Sequence, residues 1–308
     1  MDEFELIRRY FVREDEAPGV TTGIGDDGAV LRPEAGREII TVIDTLVEAV
    51  HFPPGINAAD LGYRAVAVNL SDIAAMGGRP LWMTLALTIT ASDEAWVSEF
   101  ARGLHEAAAE HGVSLVGGDT TRGDSIVVSV QITGDVATGE AVLRCGARPG
   151  DTVYVTGTLG DAAAGLSQLQ SGNAHDDLLH RYLRPTARIG FGLTLNDIAS
   201  AAIDVSDGLY ADLEKLLIAS EVGAEIDLDQ VPFSIALRAC FDAEQQRQFA
   251  LCGGDDYELC FTSSRRLPEA VDGVPLTAIG KITEAPGIVC RDGGEVVPFS
   301  DSGYRHFQ

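Results

Sequence analysis

The chain has 308 residues, enough for two domains of ordinary size, and carries 47 acidic against 22 basic side chains, a formal charge of −25. That charge repels a nucleic-acid backbone, and no apolar run is long enough to span a bilayer. Lys215 and Lys281 are the only lysines and neither sits in a Gly-x-x-x-x-Gly-Lys loop, so a Walker-type NTPase is excluded.

The 45% apolar content supplies a sizeable core. The five cysteines are odd in number and form no Cys-x-x-Cys pair, which argues against a disulfide scaffold and a zinc site. No basic-then-apolar leader pattern opens the chain, so a cytoplasmic location is expected.

Apolar side chains at Phe4, Leu6, Ile7, Tyr10 and Phe11 predict a short amphipathic helix over 2–11. The segment 38–43 reads as a strand that delivers Asp44-Thr45 at its end. Pro53-Pro54-Gly55 then breaks the structure and places His51 in or beside a loop. Leu61, Ala65, Val68 and Ile73 recur at helical spacing over 60–76, and Gly77-Gly78 is a helix stop. A strand is expected over 81–90. Ser92 is the expected N-cap of a helix whose apolar face runs through Trp96, Phe100, Leu104 and Ala108. A short strand over 113–116 leads to a Gly117–Gly123 loop, and 126–136 alternates as a long strand.

A boundary near Arg148-Pro149-Gly150 separates an expected domain 1–148 from 149–308. Beyond it, 152–156 reads as a strand, and Gly157–Asp161 opens a helix through either an ordinary turn or a weak phosphate cradle. Helical stretches follow around Leu178 and Leu195. A strand ends at Asp204, and Ser206-Asp207-Gly208 starts a helix running through Leu217. Strands are expected over 224–228, 257–262 and 276–279, with a hairpin turn at Asp292-Gly293-Gly294. This mixture predicts an α/β architecture of the α+β type.

One pattern recurs along the chain: aspartate in or beside a glycine-containing turn. It is found at Gly25-Asp26-Asp27-Gly28, at Asp44, at Ser71-Asp72 before Gly77-Gly78, and at Gly117-Gly118-Asp119. It returns at Asp204-Val205-Ser206-Asp207-Gly208 and Gly253-Gly254-Asp255-Asp256. A single instance is read equally well as an Asp-Gly turn. The set points to hard oxygen ligands for Mg²⁺, and the carboxylates are expected to converge on one pocket.

With these motifs in hand, and with Asn69–Gly77 and Gly254-Asp255-Asp256-Tyr257-Glu258-Leu259, the chain resembles the thiamine-monophosphate kinases over about Phe4 to Phe307. The resemblance implies the two-domain fold of the aminoimidazole ribonucleotide synthetase-like superfamily, with N-terminal sheets pairing in a homodimer. It implies transfer of the ATP γ-phosphoryl group to thiamine monophosphate with several Mg²⁺ ions. By resemblance the metal ligands are Asp27, Asp44, Asp72, Asp119, Asp204 and Asp207, of which Asp72 and Asp207 are expected to dominate catalysis. Gly118, Arg144 and Ser206 are nucleotide contacts; His51, Asp255 and Tyr304 are substrate contacts. For His51, Arg144 and Tyr304 structural roles stand as alternatives: a loop histidine, a surface arginine and a C-terminal anchor. The chain departs from the family where Val42-Ile43 replaces hydroxyl residues before Asp44, and where Asp255-Asp256 replaces Glu-Asp. Another enzyme of this superfamily and a non-catalytic Mg²⁺ or nucleotide-binding regulator are the rival readings.

Overall fold

The computed structural model describes residues 3–13, 18–172 and 175–299. The long alternating segments pair with each other. β3 (Arg37–Val47) runs antiparallel to β6 (Val127–Ala137), and β6 runs antiparallel to β4 (Arg79–Ile89). β4 is parallel to β5 (Ser114–Arg122), as the intervening helix α3 (Glu94–Glu110) requires. The sheet order is β3-β6-β4-β5, with α2 (Ala58–Ala75) linking β3 to β4. A small ribbon of β1 (Val20–Thr22) and β2 (Val30–Leu31) and the helix α1 (Glu3–Tyr10) complete this unit, made of Met1–Ile73 and Gly78–Glu140.

Helices α2 and α3 meet backbone to backbone. A Cβ on Gly103 would lie 1.7 Å from the Ala59 carbonyl oxygen, so only glycine fits there. Asp93, not Ser92, caps α3; its carboxylate accepts the amides of Ala95 and Trp96.

The second unit is Ala74–Gly77 with Ala141–Gln308. Its elements are β7 (Thr152–Thr156), α4 (Asp161–Ser171), α5 (Asp176–Leu183), α6 (Ile189–Gly192), α7 (Leu195–Ile198) and β8 (Ala201–Asp204). Then come α8 (Leu209–Ser220), β9 (Gly223–Asp227), α9 (Ile235–Cys240), α10 (Ala243–Gln248) and β10 (Leu259–Ser263). The hairpin strands β11 (Ala270–Val271), β12 (Val274–Thr283), β13 (Gly287–Asp292) and β14 (Glu295–Val297) follow. The main sheet has the order β14-β13-β9-β12-β7-β10-β8. Its core packs Val153, Val155, Ile203, Leu213, Leu216 and Ile279. Among the described residues no helix is long and apolar enough to cross a membrane.

Candidate functional site

In the first unit the candidate aspartates sit on four different elements. Asp27 is exposed in the turn after β1, and its amide donates to Asp26 Oδ1 at 2.8 Å. Asp44 does not end its strand: β3 continues to Val47 and pairs Asp44 with Val130, leaving the carboxylate half-buried. Leu46, buried two residues on, carries the alternation past it and extends the strand. Asp72 is half-buried on the last turn of α2. Asp119 lies within β5 and not in a loop, exposed and paired with Ala86. Gly118 beside it presses on β4, where a Cβ would lie 2.0 Å from the Leu85 carbonyl oxygen.

Two strands separate β3 from β5, which puts Asp44 roughly 14 Å from Asp119 at the usual ~4.8 Å strand spacing. Among the described residues no three His, Cys, Asp or Glu side chains are gathered to hold a metal. The expected convergence is therefore not a protein-only cage. The donor set still fits Mg²⁺, which keeps waters and phosphate oxygens and takes only one or two carboxylates.

Gly118 and Asp119 line a small cleft with Ile7, Phe11 and Leu85. Its walls share Ile24 and Leu115 with a cleft of about 580 Å³ lined also by Val20, His105 and Val113. That volume is in the range of ligand sites. Burial lowers the His105 pKa, helped by Arg13, so its ring is neutral at pH 7. His51 Nδ1 accepts the Val47 amide at 2.9 Å, which leaves the proton of a neutral ring on Nε2.

In the second unit Asp204 is the buried last residue of β8, paired with Leu259. The loop 205–208 that follows is held by Asp212, on the first turn of α8. Asp212 Oδ2 accepts the amides of Ser206 (2.9 Å) and Asp207 (2.8 Å). Burial raises the Asp212 pKa against the pull of Lys215. Lys215 Nζ bridges Asp212 Oδ1 at 2.8 Å and Asp207 Oδ2 at 2.5 Å. Burial works to lower the lysine pKa, and the two carboxylates overcome it and raise it. So a lysine does stand at a candidate metal ligand. The i, i+3 spacing of Asp212 and Lys215 was the available signal. Arg144 is exposed, and its carbonyl accepts the Ser220 hydroxyl.

The segment 254–258 is not the start of a strand. Asp255 and Tyr257 take left-handed φ of 63° and 52°, a conformation that costs about 1–3 kcal/mol per residue. Two anchors hold it. Asp256 Oδ2 accepts the Gly160 amide at 2.7 Å and Oδ1 the Ala162 amide at 3.3 Å. The Gly157 and Leu159 amides donate to the Pro275 and Pro232 carbonyls, so with Gly160 on Asp256 the amides that a phosphate cradle at 157–161 needs are occupied within the chain. Complete burial pushes Asp256 up to about 8, against those amides and Arg181. Glu258, also fully buried, receives Arg188 Nε (2.7 Å), Arg181 Nη2 (2.8 Å) and Thr156 Oγ1 (2.6 Å). Burial works to raise its pKa, and the guanidiniums prevail and lower it. Asp255 accepts the Tyr257 hydroxyl at 3.2 Å. Tyr304 lies outside the described residues.

The family model for the AIR synthase related protein N-terminal domain matches residues 25–136, and that for the C-terminal domain matches 148–293. The chain is 46% identical to the thiamine-monophosphate kinase of Escherichia coli K12, over 99% of this chain and 98% of that protein. Among solved structures, thiamine-monophosphate kinase from Stenotrophomonas maltophilia K279a has a TM-score of 0.88 at 42% identity, covering 96% of this chain and 98% of that chain. AaThiL complexed with AMPPCP and TMP has a TM-score of 0.80 at 33% identity, covering 92% of each chain.

Proposed function

The chain belongs to the thiamine-monophosphate kinase family, and from that premise we propose that it transfers the γ-phosphoryl group of ATP to thiamine monophosphate, giving thiamine diphosphate and ADP. The observation that carries this reading is a full-length match to kinases in a chain that keeps hard carboxylate donors at Asp27, Asp44, Asp72, Asp119, Asp204 and Asp207. The acceptor is a phosphate monoester, already ionised at neutral pH, so no general base is needed. The difficulty is charge: two unit charges 4 Å apart repel by about 4 kcal/mol at an effective dielectric of 20. Bound Mg²⁺ would neutralise the phosphate oxygens of both reactants.

In this proposal the six aspartates are ligands of Mg²⁺ ions, with Asp72 and Asp207 the most consequential. Gly118, Arg144 and Ser206 contact the nucleotide. The separation of Asp44 from Asp119 fits service to different ions. Arg144, exposed, acts as a bidentate phosphate clamp. Asp255, held in its strained conformation, presents a carboxylate suited to the cationic thiazolium ring. His51 and Tyr304 complete the substrate contacts, Tyr304 by stacking.

The homodimer is part of the same proposal. Among the described residues β3 pairs only with β6, and Ile39 and Ile43 on it are 46% and 65% exposed. An open apolar edge strand of eleven residues is suited to pairing with a second copy. A cytoplasmic setting fits these substrates. The test is product chromatography after incubation of purified protein with MgATP and, in parallel, thiamine, thiamine monophosphate and an aminoimidazole precursor. Diphosphate formed from thiamine monophosphate alone is expected. Turnover of the precursor would favour the wider superfamily, and no turnover at all would favour a regulator.

A further inference from the structure

Asp207 lies on a loop whose backbone is laced on both sides. Asp212 takes its amide and that of Ser206. On the other side the Ser206 carbonyl accepts the Asp255 amide at 2.8 Å, and the Val205 carbonyl accepts the Tyr257 amide at 2.9 Å. Gly254 packs so close that a Cβ would lie 2.3 Å from the Ser206 carbonyl oxygen. These contacts fix where the Asp207 Cα sits, and none of them fixes where its carboxylate points. Lys215 does that. Its ammonium reaches from one turn along α8, seated on the buried Asp212, to a single oxygen of Asp207. The other Asp207 oxygen is left for a ligand, and the side chain is 31% exposed. The choice of residue is informative in a chain with only one other lysine, Lys281. An ammonium is a compact point donor that two carboxylates can share at different angles, whereas a guanidinium fork favours one planar partner.

We propose that Lys215 is a positioning residue for the metal site: it holds Asp207 by one oxygen so that the other is aimed at the phosphate-bound divalent ion. The inference rests on the reading of Asp207 as a metal ligand. It adds that the ammonium works with the ion and does not compete with it, as hydrogen-bonded partners of ligating carboxylates do elsewhere.

The test is Mn²⁺ binding to the full chain with a non-hydrolysable ATP analogue, followed by the electron paramagnetic resonance of free Mn²⁺. Thermal midpoints and the Mg²⁺ activation constant are measured alongside. K215M and K215Q are expected to weaken Mn²⁺ about 10-fold and raise the Mg²⁺ activation constant to match. The KM for thiamine monophosphate should stay close to wild type, while the thermal midpoint falls because Lys215 is the cation on the buried Asp212, so Mn²⁺ binding is measured well below that midpoint. K215R should recover the binding only in part, since its planar fork cannot serve both carboxylates as one ammonium does. Wild-type or tighter Mn²⁺ binding in K215M and K215Q overturns the proposal, tighter binding by showing that the ammonium is the ion's rival. D207N separates the two levels. If it binds Mn²⁺ as the wild type does, Asp207 is not a ligand and the underlying reading fails. If D207N loses binding and the Lys215 variants do not, only the positioning role fails.

Discussion

Glu258 is fully buried and holds two guanidiniums, Arg181 and Arg188, whose side chains are 18% and 19% exposed. Glu258→Gln keeps the volume and one acceptor for Thr156 but removes the charge. Each arginine then loses an attraction of about 4 kcal/mol at 4 Å and an effective dielectric of 20. Part of the pair of losses is offset because a neutral amide is easier to bury. Breaking a buried pair from one side commonly costs about 3–5 kcal/mol, and that is the expected loss here. The assay is native-state hydrogen exchange of the β7 and β10 amides, which reads the second unit directly. The sign with pH follows from the lowered Glu258 pKa. Its stabilisation is present above the ordinary glutamate value near 4.5 and is lost as pH falls through the folded value. The gap between wild type and variant should therefore narrow in acid. Protection within about 1 kcal/mol of wild type at neutral pH, or a gap that widens in acid, would refute the reasoning.

Asp256 should behave in the opposite sense. Its pKa is raised from 3.8 to about 8, so its contribution is fully present below pH 3.8 and is lost as pH rises toward 8. Asp256→Asn, measured by denaturant unfolding, should gain on wild type across that window by at most about 1.4 kcal/mol per pH unit, with no further change above it. Gly103→Ala drives a methyl group into the Ala59 carbonyl and should destabilise the first unit by about 2–4 kcal/mol. Gly190→Ala, with nothing within 4 Å of its Cβ, is the control and should be neutral or slightly stabilising in the same melts. Ile43→Asp on the open edge of β3 should shift sedimentation from dimer to monomer without unfolding the chain.

The periodic elements were legible in the sequence because each writes its own pattern. Helices α2 and α3 and strand β6 fall within a few residues of their expected bounds. Glycine and aspartate misled where they sit inside strands. Gly117-Gly118-Asp119 reads as a loop, yet β5 lies parallel against β4, and a close backbone approach there demands glycine. Asp44 reads as a strand end, yet the pairing with β6 continues for three more residues. The anchors of the 254–258 segment were not legible at all. Arg188 is 70 residues from Glu258 and Gly160 is 96 from Asp256, and no local pattern joins them. The weak cradle reading at 157–161 fails for that reason. Lys215 was visible as Asp212-x-x-Lys215, but a search for lysine in nucleotide loops passes over a helix face.

Single-turnover phosphoryl transfer from ATP to thiamine monophosphate in Asp72→Asn and Asp207→Asn, titrated with Mg²⁺, tests the claim that these aspartates are metal ligands of the transfer. Each change should slow transfer by two or more orders of magnitude and raise the Mg²⁺ needed, with little change in stability. Transfer near wild-type speed at ordinary Mg²⁺ in either variant would contradict it.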